Sequence, residues 1–313
     1  MKRKKTIILW HGGGELGNQL WNFASIYAYC LEHDRECLNY SFFQYGEFFN
    51  MPVGNKFIKT LFFSPFKSYR KRRNGLRVKI AKLIYKIIYL KPIEIMFSQK
   101  VVSSENLESK TYCLPPTQRP PELFRKEEDS DVVYMVGWLF RNPEGLRKFR
   151  KELLDVFAPK KEIMNRTEEI LRPLRLKYNN IVGVHIRQGD YAFFKSGEYF
   201  IEQKRVREIL DEYMRENNID ESNTLFVITS DGAVQSKFFN GLNVYISKED
   251  AVTDLFLLAK TRTIIGSDSS FGAFASWYGN IPHIIFKKDK MDWQYYSDKN
   301  SYFENKYCTL VNY

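Results

Sequence analysis

Ile181-Val-Gly-Val-His-Ile-Arg-Gln-Gly-Asp-Tyr191 is the stretch that decides the fold. Its first six residues are a short apolar run of strand length, and it breaks off into a turn carrying a guanidinium, a glycine and a carboxylate. The same alternation continues outward on both sides. A helical pattern over Glu162 to Arg172 precedes it. After it come a helix at Phe200 to Glu216, a strand at Leu225 to Thr229, a strand near Asn243 to Ile246 and a helix at Asp250 to Lys260. A strand at Thr263 to Gly266, a helix at Ser270 to Tyr278 and a strand at His283 to Phe286 complete the series. Alternating strands and helices predict a parallel, doubly wound α/β sheet.

Upstream, Ala158-Pro159 and two lysines form a linker. At 313 residues, and at roughly 100–200 residues per domain, the chain suits two domains. The N-terminal one opens with a strand at Thr6 to Trp10, a glycine-rich turn over His11 to Gln19 and a helix over Leu20 to Glu32. Further on, Val132 to Trp138 reads as a strand and Pro143 to Phe157 as a helix. Residues 39–130 are irregular and rich in aromatics, with prolines clustered at 115, 116, 120 and 121, the pattern of a variable insertion.

With 44% hydrophobic and 27% charged residues, the chain is neither disordered, collagen-like nor a coiled coil. Cys30, Cys37, Cys113 and Cys308 show no CxxC spacing and no paired framework. That argues against a zinc knuckle or disulfide scaffold and for a reducing compartment. The apolar run after Lys2 to Lys5 is too short for an export signal, and no stretch reaches the ~20 residues of a membrane span.

The net charge of +11 is local. Ten Lys or Arg and no Asp or Glu lie between Lys67 and Lys91, and without them the chain is close to neutral. At helical spacing Leu76, Ile80, Leu83, Ile84, Ile87 and Leu90 share one stripe, beside Lys79, Lys82 and Lys86. Such a helix either packs on the core with a solvated basic flank or lies on an anionic membrane surface, where each cation contributes about 1 kcal/mol. No nucleic-acid-binding motif accompanies it.

In open α/β sheets, ligands bind beyond the carboxyl ends of the strands. Four such loops carry chemistry. Gly12 to Gln19 allows close backbone approach ahead of a helix N-terminus but lacks the lysine of a P-loop. His185 to Tyr191 offers Arg187 as a bidentate phosphate ligand, the alternative being an Arg187–Asp190 ion pair beside a core histidine. Ser230-Asp231-Gly232 and Ser267-Asp268-Ser269-Ser270-Phe271 supply hydroxyls and free N–H groups for phosphate, or only helix caps. Asp254 either complements its helix dipole or accepts from N1–H and the exocyclic amine of guanine.

These residues also carry a resemblance. His-Ile-Arg-Gln-Gly-Asp-Tyr (185–191) resembles the HxRRGDY motif of glycosyltransferase family 11, the α-1,2-fucosyltransferases, within the wider GDP-fucose-using superfamily. GELGNQLWNFA (14–24) is similar to that family's GGLGNQMFQYA, and SDSSFGAFASW (267–277) to its SNSTFSWWAAW. The order and spacing also match. The sequence departs from the pattern at Gln188, which replaces the second Arg, at Gly232, where an acid is frequent, and at the spacing of Gly14-Glu15.

The resemblance implies a GT-B architecture: two Rossmann-like domains facing across a cleft, 1–158 on the acceptor side with the insertion at 39–130, and 159–313 binding the nucleotide sugar. It implies an inverting transfer of L-fucose from GDP-β-L-fucose to a glycan hydroxyl, forming an α-1,2 linkage to galactose in a surface polysaccharide or oligosaccharide, with no metal or other cofactor. Carried over by position, Arg187 contacts the β-phosphate, His185 and Asp254 lie near the guanosine, and Ser269, Ser270 and Phe271 near the phosphates. Ser230, Asp231, Ser267 and Asp268 line the same donor site, and Gly14, Gly17, Asn18 and Gln19 face it from the other domain. Asp190 is the first candidate base and Glu198 the second. The expected partners are a nucleotide sugar, a glycan or lipid-linked acceptor and an anionic membrane surface reached through 67–91, in the cytoplasm or on the membrane's inner face. Two readings stay open beside this one: the same fold with another nucleotide sugar, motivated by Gln188, and a basic membrane- or nucleic-acid-binding protein with a degenerate cleft.

Overall fold

A computed structural model describes residues 5–11, 14–39, 42, 45–50, 83, 101–103, 112–113, 131–137 and 140–297. Contacts divide the chain into two compact units, one running to Pro159 and the other starting at Lys160. Of the basic segment 67–91 only Leu83 is described, a helical and exposed residue; the rest of that segment, the proline cluster and Cys308 lie outside the described residues.

The first unit opens with β1 (Thr6–His11), α1 (Leu16–Glu32) and β2 (Glu36–Asn39). β3 (Val101–Ser103), β4 (Tyr112–Cys113), β5 (Val132–Val136) and β6 (Phe140–Arg141) follow. One parallel sheet has the order β2-β1-β5-β3, with Thr6 opposite both Glu36 and Val132; β4 pairs with β6. α1 starts at Leu16, four residues earlier than its pattern suggests, and is buried on nearly every side from Leu16 to Cys30. Phe23, Phe42 and Phe157 are fully buried, and Phe42 and Phe157 lie 5.7 and 5.5 Å from the Phe23 ring. Each such ring contributes roughly 1.5–3 kcal/mol of burial. The helix expected over Pro143 to Phe157 is two, α2 (Pro143–Lys148) and α3 (Arg150–Val156), because Phe149 leaves helical geometry at φ −107°, ψ 25°. Asn142 caps α2 by accepting from the Gly145 N–H, and Pro143 sits in its first turn, where no donor is lost.

The second unit runs α4 (Lys161–Lys177), β7 (Asn180–Ile186), α5 (Gln203–Glu216), β8 (Thr224–Ser230), β9 (Val244–Ile246) and α6 (Ala251–Ala259). It ends with β10 (Thr263–Gly266), α7 (Ser270–Gly279), β11 (His283–Ile285) and α8 (Trp293–Ser297). All strands of the sheet are parallel, in the order β11-β10-β7-β8-β9. β7 is central and buried from Ile181 to Ile186, hence its unbroken apolar run. Val182, Val184 and Ile186 face the layer of α5, against Val206, Ile209 and Leu210. The alternate face, with Ile181, packs on Ile170 and Leu171 of α4 and Leu257 of α6. From β7 the chain steps outward to β8 and β9, then crosses back to place β10 on the other side of β7. The reversal makes the carboxyl ends of β7 and β10 the topological switch point, where an open α/β sheet leaves a crevice.

Candidate active site

Arg187 is the first residue beyond β7, and Ser267 the first beyond β10. The Arg187 backbone N–H donates to Ser267 Oγ at 2.9 Å, so the two loops are joined at the switch point. The Arg187 side chain, 15% exposed, lies between two carboxylates. Asp190 Oδ1 accepts from Nε at 2.9 Å and lies 2.8 Å from Nη2; Asp231 Oδ2 lies 3.2 Å from Nε. Nη1 has no hydrogen bond among the described residues, and the guanidinium carbon sits 5.5 Å from the Tyr191 ring centroid.

The two carboxylates differ. Asp231 is 10% exposed and fixes the loop: its Oδ1 accepts from the backbone N–H of Gln188 at 2.7 Å and Gly189 at 3.2 Å. Burial opposes its charge, but the Arg187 guanidinium and these amides prevail and hold its carboxyl below the usual range. Asp190 is 62% exposed. Glu198 is exposed in the following loop.

His185 and Gly183 share the α6-facing side of β7. The imidazole is buried; its Nδ1 lies 3.2 Å from Thr229 Oγ1, which donates in turn to the Val184 carbonyl at 3.5 Å. This chain assigns the proton to Nδ1 and leaves Nε2 as an acceptor, buried and without a hydrogen bond among the described residues. Burial first, then Arg187, pulls the imidazole down to about 3, so it is neutral at physiological pH. Phe271 lies over it at 4.8 Å between ring centroids.

Asp254 is buried on α6, its Oδ1 accepting from Ser247 Oγ at 2.5 Å. Burial pushes its carboxyl up to about 8, against the opposing pull of that hydroxyl. A methyl group at Gly183 would meet Leu258 Cδ2 at 2.9 Å, so the Leu258 side chain packs against that glycine. Asp254 is one turn nearer than Leu258 to the N-terminus of α6, the end that follows the carboxyl end of β9.

The remaining polar residues build the loops. Ser269 caps α7 by accepting from the Gly272 N–H at 3.3 Å and so fixes the N-terminus of that helix at the switch point. Ser230 Oγ donates to the Ile186 carbonyl at 2.7 Å and accepts from the Gly232 N–H. The Asp268 carbonyl accepts from the Tyr191 hydroxyl at 2.8 Å. In the first unit, Gln19 Nε2 donates to the Gly14 carbonyl at 2.9 Å and so closes the turn ahead of α1, which begins with Leu16, Gly17 and Asn18.

Two of the departures from the family motif meet in space. A Cβ on Gly232 would lie 2.7 Å from Gln188 Cβ. Gln188 turns its amide to the Ile201 carbonyl at 3.1 Å and to Gln203 at 3.3 Å. Where the family pattern has an Arg and an acid, this chain has a glutamine directed at its own scaffold and a glycine that makes room for it.

Thr229, Ser247 and Gln203 also hold site residues, through hydrogen bonds to His185, Asp254 and Gln188. Thr229 is the last but one residue of β8 and Ser247 the first beyond β9, and hydroxyls at strand ends are too common to single out. Among the described residues no group of three or more His, Cys, Asp or Glu is placed to hold a metal ion, and no helix is long and apolar enough to cross a membrane.

No family model and no curated protein matches the chain by sequence. Its structure resembles solved ones. An Arabidopsis thaliana FUT1 variant in complex with GDP matches with a TM-score of 0.57 at 13% identity, over 92% of this chain and 71% of that one. NodZ alpha-1,6-fucosyltransferase soaked with GDP-fucose matches with 0.52 at 15%, over 91% and 95%. POFUT1 in complex with GDP matches with 0.50 at 12%, over 91% and 99%. The chain has the α/β GT-B fold of these structures.

Proposed function

We propose that the protein is an inverting fucosyltransferase that moves L-fucose from GDP-β-L-fucose to a hydroxyl of a glycan, with an α-1,2 linkage to galactose as the specific product. The observation that carries this reading is Arg187 at the switch point, fixed from within by Asp231 and faced from outside by Asp190. The solved structures of the same fold that hold GDP or GDP-fucose support it.

In this reading the diphosphate lies against the outer side of the Arg187 guanidinium, which Asp190 vacates, and against the N-terminus of α7, two sources of positive potential that need no metal ion. Asp254, in its ionised form, accepts from the Watson–Crick edge of guanine, and His185 Nε2 accepts from a donor on the nucleoside. The acceptor oxygen attacks the anomeric carbon of fucose from the face opposite the phosphate. The bond from that carbon to the phosphate oxygen breaks, GDP leaves with the electron pair, and the hydroxyl proton passes to Asp190. Attack on a β-linked donor yields the α product.

The charges explain why two acids flank one base. Arg187, Asp190 and Asp231 together carry a net negative charge, which repels a diphosphate. Asp190, the exposed partner, is the one that leaves. Donor phosphate takes its place on the guanidinium, and Asp190 is released as the base. The basic segment 67–91 adds, on charge alone, attachment to an anionic membrane where a lipid-linked acceptor would lie; co-sedimentation with phosphatidylserine vesicles tests that part.

The deciding experiment incubates the protein with labelled GDP-fucose and an array of galactose-, glucose- and N-acetylhexosamine-terminated glycans. Transfer is expected, with Arg187→Ala reducing kcat about 100- to 1,000-fold. Normal turnover in that variant refutes the phosphate role, and preferential stabilisation by a UDP-sugar over GDP-fucose refutes the guanine role of Asp254.

A further inference from the structure

We infer that the loop following Arg187 is a stacking platform for a pyranose ring of the acceptor. This rests on the donor-site reading above and extends it to the other substrate. Tyr191, Phe194 and Tyr199 form an aromatic triad: Tyr191 and Phe194 stack at 6.0 Å and 21°, and Tyr199 lies 5.9 Å from one and 6.0 Å from the other. Phe193 and Phe194 are 86% and 46% exposed. Two adjacent exposed phenyl rings on an ordinary surface forfeit the gain from burial, and such patches mark surfaces that bind something.

The loop is built rather than loose. It makes two successive 3-10 turns, Asp190–Ala192 and Phe194–Gly197. The Phe193 N–H donates to the Asp190 carbonyl at 3.0 Å and the Phe200 N–H to the Gly197 carbonyl at 3.1 Å; Lys288 Nζ also donates to Gly197 at 2.7 Å. Tyr191 ties the triad to the phosphate side twice, through its hydroxyl on the Asp268 carbonyl and its ring beside the guanidinium.

Position and chemistry select the occupant. The Tyr191 ring lies 5.5 Å from the guanidinium carbon and the Phe194 ring 6.0 Å beyond it, so the aromatic cluster adjoins the side of the site where the donor phosphate would lie. A pyranose presents an apolar face of C–H groups, which suits the negative face of an aromatic ring, and a rim of hydroxyls that need polar neighbours. Asp190 and Glu198, both exposed and each next in sequence to one of the tyrosines, provide acceptors on this loop. The same two acids disfavour an anionic lipid surface as the occupant.

The test is saturation-transfer NMR of the full chain with millimolar lactose, methyl β-galactoside and chitobiose, with and without GDP, together with acceptor KM where transfer is measurable. Wild type is expected to bind at least one of these sugars. Phe193→Ala should weaken that binding, and raise acceptor KM, about tenfold, as loss of an aromatic anchor does. Phe193→Trp should restore both, and GDP affinity should match wild type in each variant. Phe193 is almost wholly solvent-exposed, so its replacement tests binding rather than folding. No sugar binding in wild type, or unchanged binding and KM in both Phe193→Ala and Phe193/Phe194→Ala, overturns the platform. So does aromatic-dependent capture by phosphatidylserine vesicles with sugar binding unaffected. Absence of GDP binding while sugar binding still depends on Phe193 overturns the donor reading alone and supports a sugar platform of another use.

Discussion

Asp231 Oδ2 lies 3.2 Å from Arg187 Nε, and both side chains are largely withdrawn from water, at 10% and 15% exposure. The same carboxylate holds the amides of Gln188 and Gly189 through its other oxygen. Loop shape and guanidinium position therefore depend on one residue 44 positions further along the chain.

Replacing Asp231 with Asn leaves Arg187 facing only the exposed Asp190. Loss of one member of a nearly buried pair is expected to cost about 3 kcal/mol, read by urea unfolding, and to weaken GDP binding. Because the Asp231 carboxyl is held low, its contribution is present above the ordinary carboxylate range and is lost as pH falls through it. The variant's stability should accordingly change less than that of wild type between pH 5 and pH 3.

Asp190→Asn removes the anion that competes with phosphate while leaving Asp231 in place. GDP affinity is expected to equal or exceed that of wild type by calorimetry, with kcat down about 100-fold or more. Weakened GDP binding in this variant would show that Asp190 positions Arg187 rather than taking the proton, and undiminished turnover would remove it as base.

Asp254 gives two pH dependences of opposite use. Its folded carboxyl stands at about 8, above the ordinary range, so the folded state gains a proton that the unfolded chain has lost. Its contribution is full at acid pH and is lost as pH rises toward 8. Asp254→Asn should be more stable than wild type at pH 8, by several kcal/mol, and show no such decline. Guanine needs the ionised form, so wild-type GDP affinity should rise from pH 6 to pH 8.5 and that of the variant should be weak and flat.

Gly232→Ala places a methyl group 2.7 Å from Gln188 Cβ. Overpacking against a fixed loop is expected to cost about 1–3 kcal/mol and to shift Arg187, lowering GDP affinity. A Gln188→Gly background should recover much of that loss. Additive effects in the double variant would mean that positions 188 and 232 do not touch.

Much of this was legible beforehand. From Lys161 onward β7, β8 and β10 are largely buried apolar runs and α4 and α5 carry clear stripes, so local pattern placed these, along with Arg187 at a strand's end. The first unit was harder. β2, β3, β4 and β6 are two to four residues long, too short to show a period, and α1 is buried on almost all sides, so its start had no amphipathic edge. The single helix expected over 143–157 failed at Phe149, where backbone geometry overrode an unbroken apolar spacing.

By itself the sequence determined the class of fold, through burial patterns set within single elements, and the types of residue at each strand end. Only the tertiary structure decided their relations. Crossover connections are compatible with several strand orders, so nothing local says that β10 returns beside β7 and brings Ser267 to the Arg187 backbone. Likewise a sequence shows acids near an arginine but not which one water reaches. Burial separates them, making Asp231 the partner that stays and Asp190 the one that can leave.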